Sequence, residues 1–129
     1  MSHVLLDDPA ALDLPDGPIA LDTEFHAEKR YVPSLHLIQV RGTSGPAYLV
    51  DPHVPGMLEG VRDALLAHSW IVHAGRIDLE LLRIALGAVP EEVLDTQIAA
   101  GLVASDYPNS LAYLLGRRLG VGIDKSETL

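Results

Sequence analysis

The stretch IALDTEFHAEKRYVPSLHLIQV, Ile19 to Val40, decides how this chain is read. Two apolar runs, about Ile19 to Phe25 and Leu35 to Arg41, flank a charged turn, and both have the length and composition of strands. Asp22 and Glu24 interrupt the first run. Residues two apart on a strand share a face and lie about 7 Å apart along the chain, so the carboxylates stand side by side where apolar side chains are expected. Like charges so placed repel, and each loses water. Such a pair calls for a cation between its members or a raised pKa on one of them. The pattern has the form of a metal site.

Before this stretch, the segment to Pro18 is rich in Asp and Pro and predicts a short turn of helix at most. After it, GTSG turns into AYLVD, which makes three strands in a row and suggests an antiparallel meander. In GMLEGVRDALLAHS the apolar residues Met57, Leu58, Val61, Leu65 and Leu66 recur at helical spacing. A short strand WIVHA follows, then the helix RIDLELLRIALG, closed by Gly87. EEVLDT reads as a short strand. QIAAGLVAS and SLAYLLGRRLG read as helices, with Ser110 capping the second. The order βββαβα, followed by a strand and helices, predicts one α/β domain over residues 1–129, with helices on the faces of a mixed sheet.

A composition of 48% hydrophobic residues and a mean hydropathy of +0.22 supply a core for one domain of 129 residues. No apolar run approaches the roughly 18 residues that span a bilayer. MSHVLLDDPAALDLPDGP has neither a basic start nor a long apolar stretch, and a cytoplasmic protein with no membrane partner is expected. With no cysteine, disulfides and thiolate ligands are excluded, and any metal must use carboxylates or histidines. Eighteen acidic and nine basic residues give a formal charge of −9, unlike a protein that coats duplexes through a basic surface. A nuclease remains compatible, because cations held by carboxylates can meet a phosphate. Lys29, Arg30, Arg76 and Lys125 sit in suggestive places, though ordinary solvated charge explains each taken singly.

A third acid, Asp78, opens the helix after WIVHA. Alone it reads as a first-turn acid facing the positive helix end. If WIVHA lies beside the Asp22 strand, however, Asp78 reaches the same rim as Asp22 and Glu24, and three converging carboxylates suit Mg²⁺ or Mn²⁺. His73 could be a ligand or a substrate contact, although a hydrogen-bonded structural histidine is the commoner outcome at a strand end. Asp95 could be a fourth carboxylate, but capping of the helix near Gln97 is the preferred reading. GVG at Gly120 lacks the strand and third glycine of a dinucleotide fingerprint, and no Walker A loop, HExxH or GxSxG occurs.

ALDTEF resembles the first exonuclease motif of the DEDD 3′–5′ exonucleases, and IVHAGRIDLELL resembles the second, with Asp78 as its acid. YVPSLHLIQV, AYLVDP, LDTQIAAGLV and LGVGIDKSETL, in this order, narrow the resemblance to ribonuclease D and its near relatives. The resemblance implies an RNase H-like fold with a mixed five-stranded sheet, and removal of nucleotides from RNA 3′ ends with two divalent metals. It makes Asp22, Glu24 and Asp78 catalytic metal ligands for Mg²⁺ or Mn²⁺, Asp22 bridging both ions. Thr23 and Phe25 become candidates to contact the terminal nucleotide, Phe25 by stacking, although core packing is the simpler role for Phe25. His73 gains weight as a substrate contact.

Relatives carry a third motif roughly two dozen residues beyond the place of DKSE, with a water-orienting Tyr and a fourth metal-binding Asp; this chain ends at Leu129. Tyr107, Tyr113, Asp124 and Glu127 do not substitute for it. The expectation is therefore an exonuclease domain incomplete at its C-terminus, weak or inactive alone, with one ordered ion in place of two, acting on a single-stranded 3′ end, RNA before DNA. Two alternatives stand beside it: a non-catalytic module of the same fold that binds nucleic acid or protein, and half of a split nuclease. A homodimer or a partner chain would cover the face left by the missing helix.

Overall fold

The computed structural model describes residues 2–26, 33–104, 108–120 and 122. The sheet is built around β2 (Ile19–His26), the acid-bearing strand, which pairs antiparallel with β3 (Ser34–Arg41) and parallel with β5 (Trp70–Val72). β3 pairs antiparallel with β4 (Ala47–Val50), so the expected meander is present. β6 (Val93–Asp95) runs parallel to β5 at one edge. At the other edge stands β1 (His3–Leu5), parallel to β4. The six-stranded order is β1-β4-β3-β2-β5-β6, one strand more than the five implied by resemblance. The extra strand is the correction: His3–Leu5 is too short and too exposed to show an alternating pattern, yet it completes the free edge of β4. The expected helical turn follows as a 3-10 turn at Pro9–Ala11.

Four helices accompany the sheet among the described residues: α1 (Met57–Leu66), α2 (Arg76–Leu86), α3 (Thr96–Ala104) and α4 (Leu111–Leu119). In α1, Met57, Val61 and Leu65 form a four-residue repeat on one face and are fully buried. α2 contributes Leu82 and Leu86 to the same core, where they meet Ile19, Leu21, Ile38, Val40, Val50 and Trp70. Burying each such side chain stabilises the fold by about 1.5 to 3 kcal/mol. Gly87 closes α2 at φ 79°, the left-handed value that glycine adopts without strain, and its N–H bonds the carbonyl of Arg83. Ser110 caps α4 as expected, accepting from the Tyr113 N–H at 3.1 Å.

Among the described residues, the other sheet face has no such helical layer in the core cluster. Register carries one row across it from Leu5 through Leu49 and Gln39 to Asp22, and a second from Leu94 through Ile71 and Ala20 to Arg41. Leu5 and Leu94 are 65% and 52% exposed.

Candidate active site

Strand alternation sorts β2 by face. Ile19, Leu21 and Thr23 are buried toward α1 and α2, whereas Ala20 and Asp22 are exposed and Glu24 is half-buried on the opposite side. Asp22 and Glu24 thus share a face, as their spacing requires. Among the described residues, the core helices pack on the opposite side of this strand, so the acids stand at an open rim rather than as a buried pair. Asp78 approaches from the helix side. Its carboxylate is buried, and Oδ1 accepts both the Thr23 backbone N–H, at 3.1 Å, and the Thr23 hydroxyl. Thr23 thereby ties the start of α2 to β2 between the two acids.

The electrostatics show that the carboxylates are neighbours. Desolvation pushes the Asp22 carboxyl above the ordinary aspartate range, although the residue as a whole lies at the surface, and the charge of Asp78 adds to the rise. Glu24 raises it further, while the Thr23 N–H and His73 pull it down. Repulsion centred on Asp22 is what a cation would relieve, and an all-carboxylate set suits a hard ion such as Mg²⁺ or Mn²⁺. The donor chemistry fits. Among the described residues, though, no three His, Cys, Asp or Glu side chains already close around one point.

Asp78 is placed by a device that the sequence reading reached only in part. The turn from β5 into α2 passes through Ala74 at φ 51°, a left-handed conformation unusual for alanine. Asp95, at the end of β6, holds this turn. Its Oδ1 accepts the N–H of Ala74 and of Gln97, both at 2.9 Å, and its Oδ2 accepts that of Gly75 at 3.0 Å. Burial is the largest single influence on Asp95 and acts upward. The N–H groups of Gly75, Ala74, Gln97 and Ile98 together outweigh it and hold the carboxyl below the ordinary value. The cap was legible from LDTQ; the clamp on the turn was not, because it joins residues about twenty apart in the chain.

His73 is equally committed. Its Nε2 donates to the Asn109 carbonyl at 2.9 Å, and its Nδ1 meets the Thr96 hydroxyl at 2.8 Å. It ties β5 to α3 and to the segment entering α4. With Asp22, Ala20, Ile71 and Leu111 it also lines a cleft of about 550 Å³ beside the rim. Phe25 is half-buried on the Thr23 side. Lys29, Arg30, Tyr107, Asp124, Lys125 and Glu127 lie outside the described residues.

A family model described as 3′–5′ exonuclease matches residues 5–129. The chain belongs to this family. It is 36% identical over 112 residues to ribonuclease D of Desulfotalea psychrophila, covering 85% of this chain and 30% of that protein. Among solved structures, Escherichia coli RNase D, an exoribonuclease involved in structured RNA processing, matches with a TM-score of 0.71 at 32% identity, over 84% of this chain and 29% of that one. Brucella melitensis NrnC with bound Mg²⁺ matches with a TM-score of 0.75 at 24% identity, over 98% of this chain and 66% of that one, a likeness of fold alone. The exonuclease-family chain thus spans about 30% of the length of its ribonuclease D relatives, and the RNase H-like α/β architecture expected from the motifs is the one observed.

Proposed function

We propose that this chain is the acid-bearing part of a metal-dependent 3′–5′ exonuclease that acts on single-stranded RNA 3′ ends. The observation that carries the reading is the electrostatic coupling of Asp22 to both Asp78 and Glu24 at one open rim in a chain of this family. Asp22, Glu24 and Asp78 would hold Mg²⁺ or Mn²⁺, one or two ions. Bound there, the metal would supply charge stabilisation for phosphodiester hydrolysis. The chain's own part is to hold Asp78 in place through Thr23 and the Asp95-clamped turn, and to present Asp22 and Glu24 to solvent. His73 lines the cleft beside Asp22 that a terminal nucleotide would approach, whereas Phe25 lies on the Thr23 side of the strand. A net charge of −9 favours a terminus gripped at a metal over a duplex tracked by basic residues.

By itself the chain should turn over slowly, because its acids do not yet close around a point and Thr23 occupies Oδ1 of Asp78. That same observation favours a second reading, a module that binds a 3′ end without cleaving it. We assign the uncovered sheet face, with Leu5 and Leu94, to a second copy or a partner chain, and the protein to the cytoplasm; no helix among the described residues is long and apolar enough to cross a membrane.

The test is incubation with a labelled single-stranded RNA, and with its blunt duplex, in Mg²⁺ or Mn²⁺, beside full-length ribonuclease D. We expect single strands to bind more tightly than duplex, and cleavage about 10²- to 10³-fold below the full-length enzyme. Residual cleavage should vanish in Asp22→Asn. Cleavage that persists in Asp22→Asn would remove the rim from the chemistry.

A further inference from the structure

At the edge of the sheet two strands from β2, a groove of about 850 Å³ follows β6, with α2 as one wall and α3 as the other. Leu79 of α2, Val93 and Leu94 of β6, and Ile98 and Leu102 of α3 give it an apolar lining. Leu94 and Ile98 are about half exposed, and Leu102 is 84% exposed. Large aliphatic side chains gathered at one place differ from the singly scattered apolar residues of an ordinary surface.

The backbone of β6 is also open there. It is the last strand of the sheet, so among the described residues no strand pairs with its outer side. The Trp70 N–H donates to the Glu92 carbonyl at 3.0 Å, which turns the backbone groups of Glu92 and Leu94 toward β5 and those of Val93 outward, on the groove side. An open strand edge beside apolar side chains is a template on which an extended segment can add a strand.

The charge at the groove is positive. Arg76 and Arg83 stand about two turns apart on α2, both exposed, and neither forms an ion pair among the described residues. Glu80 lies between them in the same helix and pairs with neither. Asp95, the other acid of the lining, has its carboxylate committed to the N–H groups of Ala74, Gly75 and Gln97. Two uncommitted guanidiniums thus outnumber one uncommitted carboxylate, a local excess of positive charge in a chain of −9. The rim of Asp22, Glu24 and Asp78 has no use for it.

We propose that this groove binds an extended, acidic segment of a partner protein, which adds a strand to the free edge of β6. Alternate residues of such a strand point to opposite faces, so one set brings carboxylates to Arg76 and Arg83 on α2 while the other sets apolar side chains against Ile98 and Leu102 on α3. Single-stranded RNA fits the groove poorly, because among the described residues its lining holds no aromatic side chain on which bases could stack. A second copy docked groove to groove would set one pair of arginines against the other. The site is separate from the carboxylate rim and does not depend on the exonuclease reading.

Fluorescence anisotropy of a short labelled peptide in which glutamate and valine alternate tests it, in EDTA at pH 7, with circular dichroism to check that each variant is folded. The peptide should bind the purified chain saturably. Its affinity should fall at least about tenfold in Arg83→Glu and in Leu102→Glu, both at exposed positions, while Leu5→Glu at the opposite edge of the sheet and Asp22→Asn bind like the parent. Lysine in place of glutamate in the peptide should weaken binding by at least about tenfold, and the peptide N-methylated along its backbone, which cannot donate to a strand edge, should not bind. No binding by the parent, unchanged affinity in either groove variant, or full affinity for the lysine or N-methylated peptide would each overturn the proposal. Displacement of the peptide by oligouridylate would overturn it in favour of RNA, and a dimer in sedimentation that Leu102→Glu abolishes would overturn it in favour of a second copy.

Discussion

Asp22→Asn should make the metal-free protein more stable, not less. Burial and the charges of Asp78 and Glu24 hold the Asp22 carboxyl above its ordinary range. A carboxyl raised in the folded state favours folding fully only below its unfolded pKa, and that contribution is lost as pH rises through the folded value. At neutral pH the ionised side chain is therefore a liability that the amide lacks. Each exposed like-charge contact is worth about 0.2 to 1 kcal/mol after solvent screening. Asn has almost the same shape without the charge, so the net gain should be about 0.5 to 1 kcal/mol, or about 2 to 4 °C in Tm for a domain of this size. Thermal unfolding in EDTA at pH 7 and pH 3 measures it: the variant should melt higher at pH 7 and level with the parent at pH 3. With millimolar Mn²⁺ the order should reverse, because only the parent keeps the acid that links Asp78 to Glu24. An Asn variant less stable at pH 7 without metal, or one with the same increment at both pH values, would refute the coupling.

Asp95→Ala should cost about 2 to 4 kcal/mol, as it removes a helix cap and charge-assisted bonds to the β5–α2 turn. Because the Asp95 carboxyl is held low, its contribution is present above the unfolded pKa and lost as pH falls through the folded value, so the parent's advantage in urea melts should shrink as pH falls below the ordinary aspartate range. In Gly75→Ala the new Cβ would meet Val72 Cγ2 at 2.5 Å, and overpacking of about 1 to 3 kcal/mol should appear as a lower urea midpoint. Thr23→Val keeps the shape but takes the hydroxyl from buried Asp78; a loss of about 1 to 3 kcal/mol and weaker Mn²⁺ binding are expected by calorimetry. Leu82→Ala, at a fully buried position, should cost about 2 to 5 kcal/mol in equilibrium unfolding.

The long elements were legible because their signals are local. β2 and β3 announce themselves by alternation, α1 and α2 by their apolar stripes, and Gly87 and Ser110 by cap chemistry confined to a few neighbouring residues. β1 was not legible: three exposed residues carry no burial pattern, and their strand character comes from the edge of β4, some forty residues away. The same distinction runs through the site. Asp22 and Glu24 sharing a face follows from the period of a strand. That this face lies open depends on which side α1 and α2 choose, and single strands do not encode that choice. The Asp95 clamp and the double tether of His73 likewise join segments that meet only in the fold.

Thr23 explains how one strand can serve two opposed demands. A metal-binding rim needs exposed, mutually repelling acids, whereas a stable sheet needs a buried face without them. Alternation lets residues 22, 23 and 24 answer both at once, since Asp22 and Glu24 face solvent while Thr23 turns toward the helices. Thr23 is not simply core, because its backbone N–H and hydroxyl both go to Asp78. The third acid therefore enters from below the sheet, on a helix whose Leu82 and Leu86 are packed into the core. Its position is fixed by the stable side of the molecule and its charge is felt on the open side. Displacing α2 should thus cost packing stability and disturb the rim together, whereas changes confined to the open face should act on the rim and on stability only through its charge repulsion, about 1 kcal/mol at most.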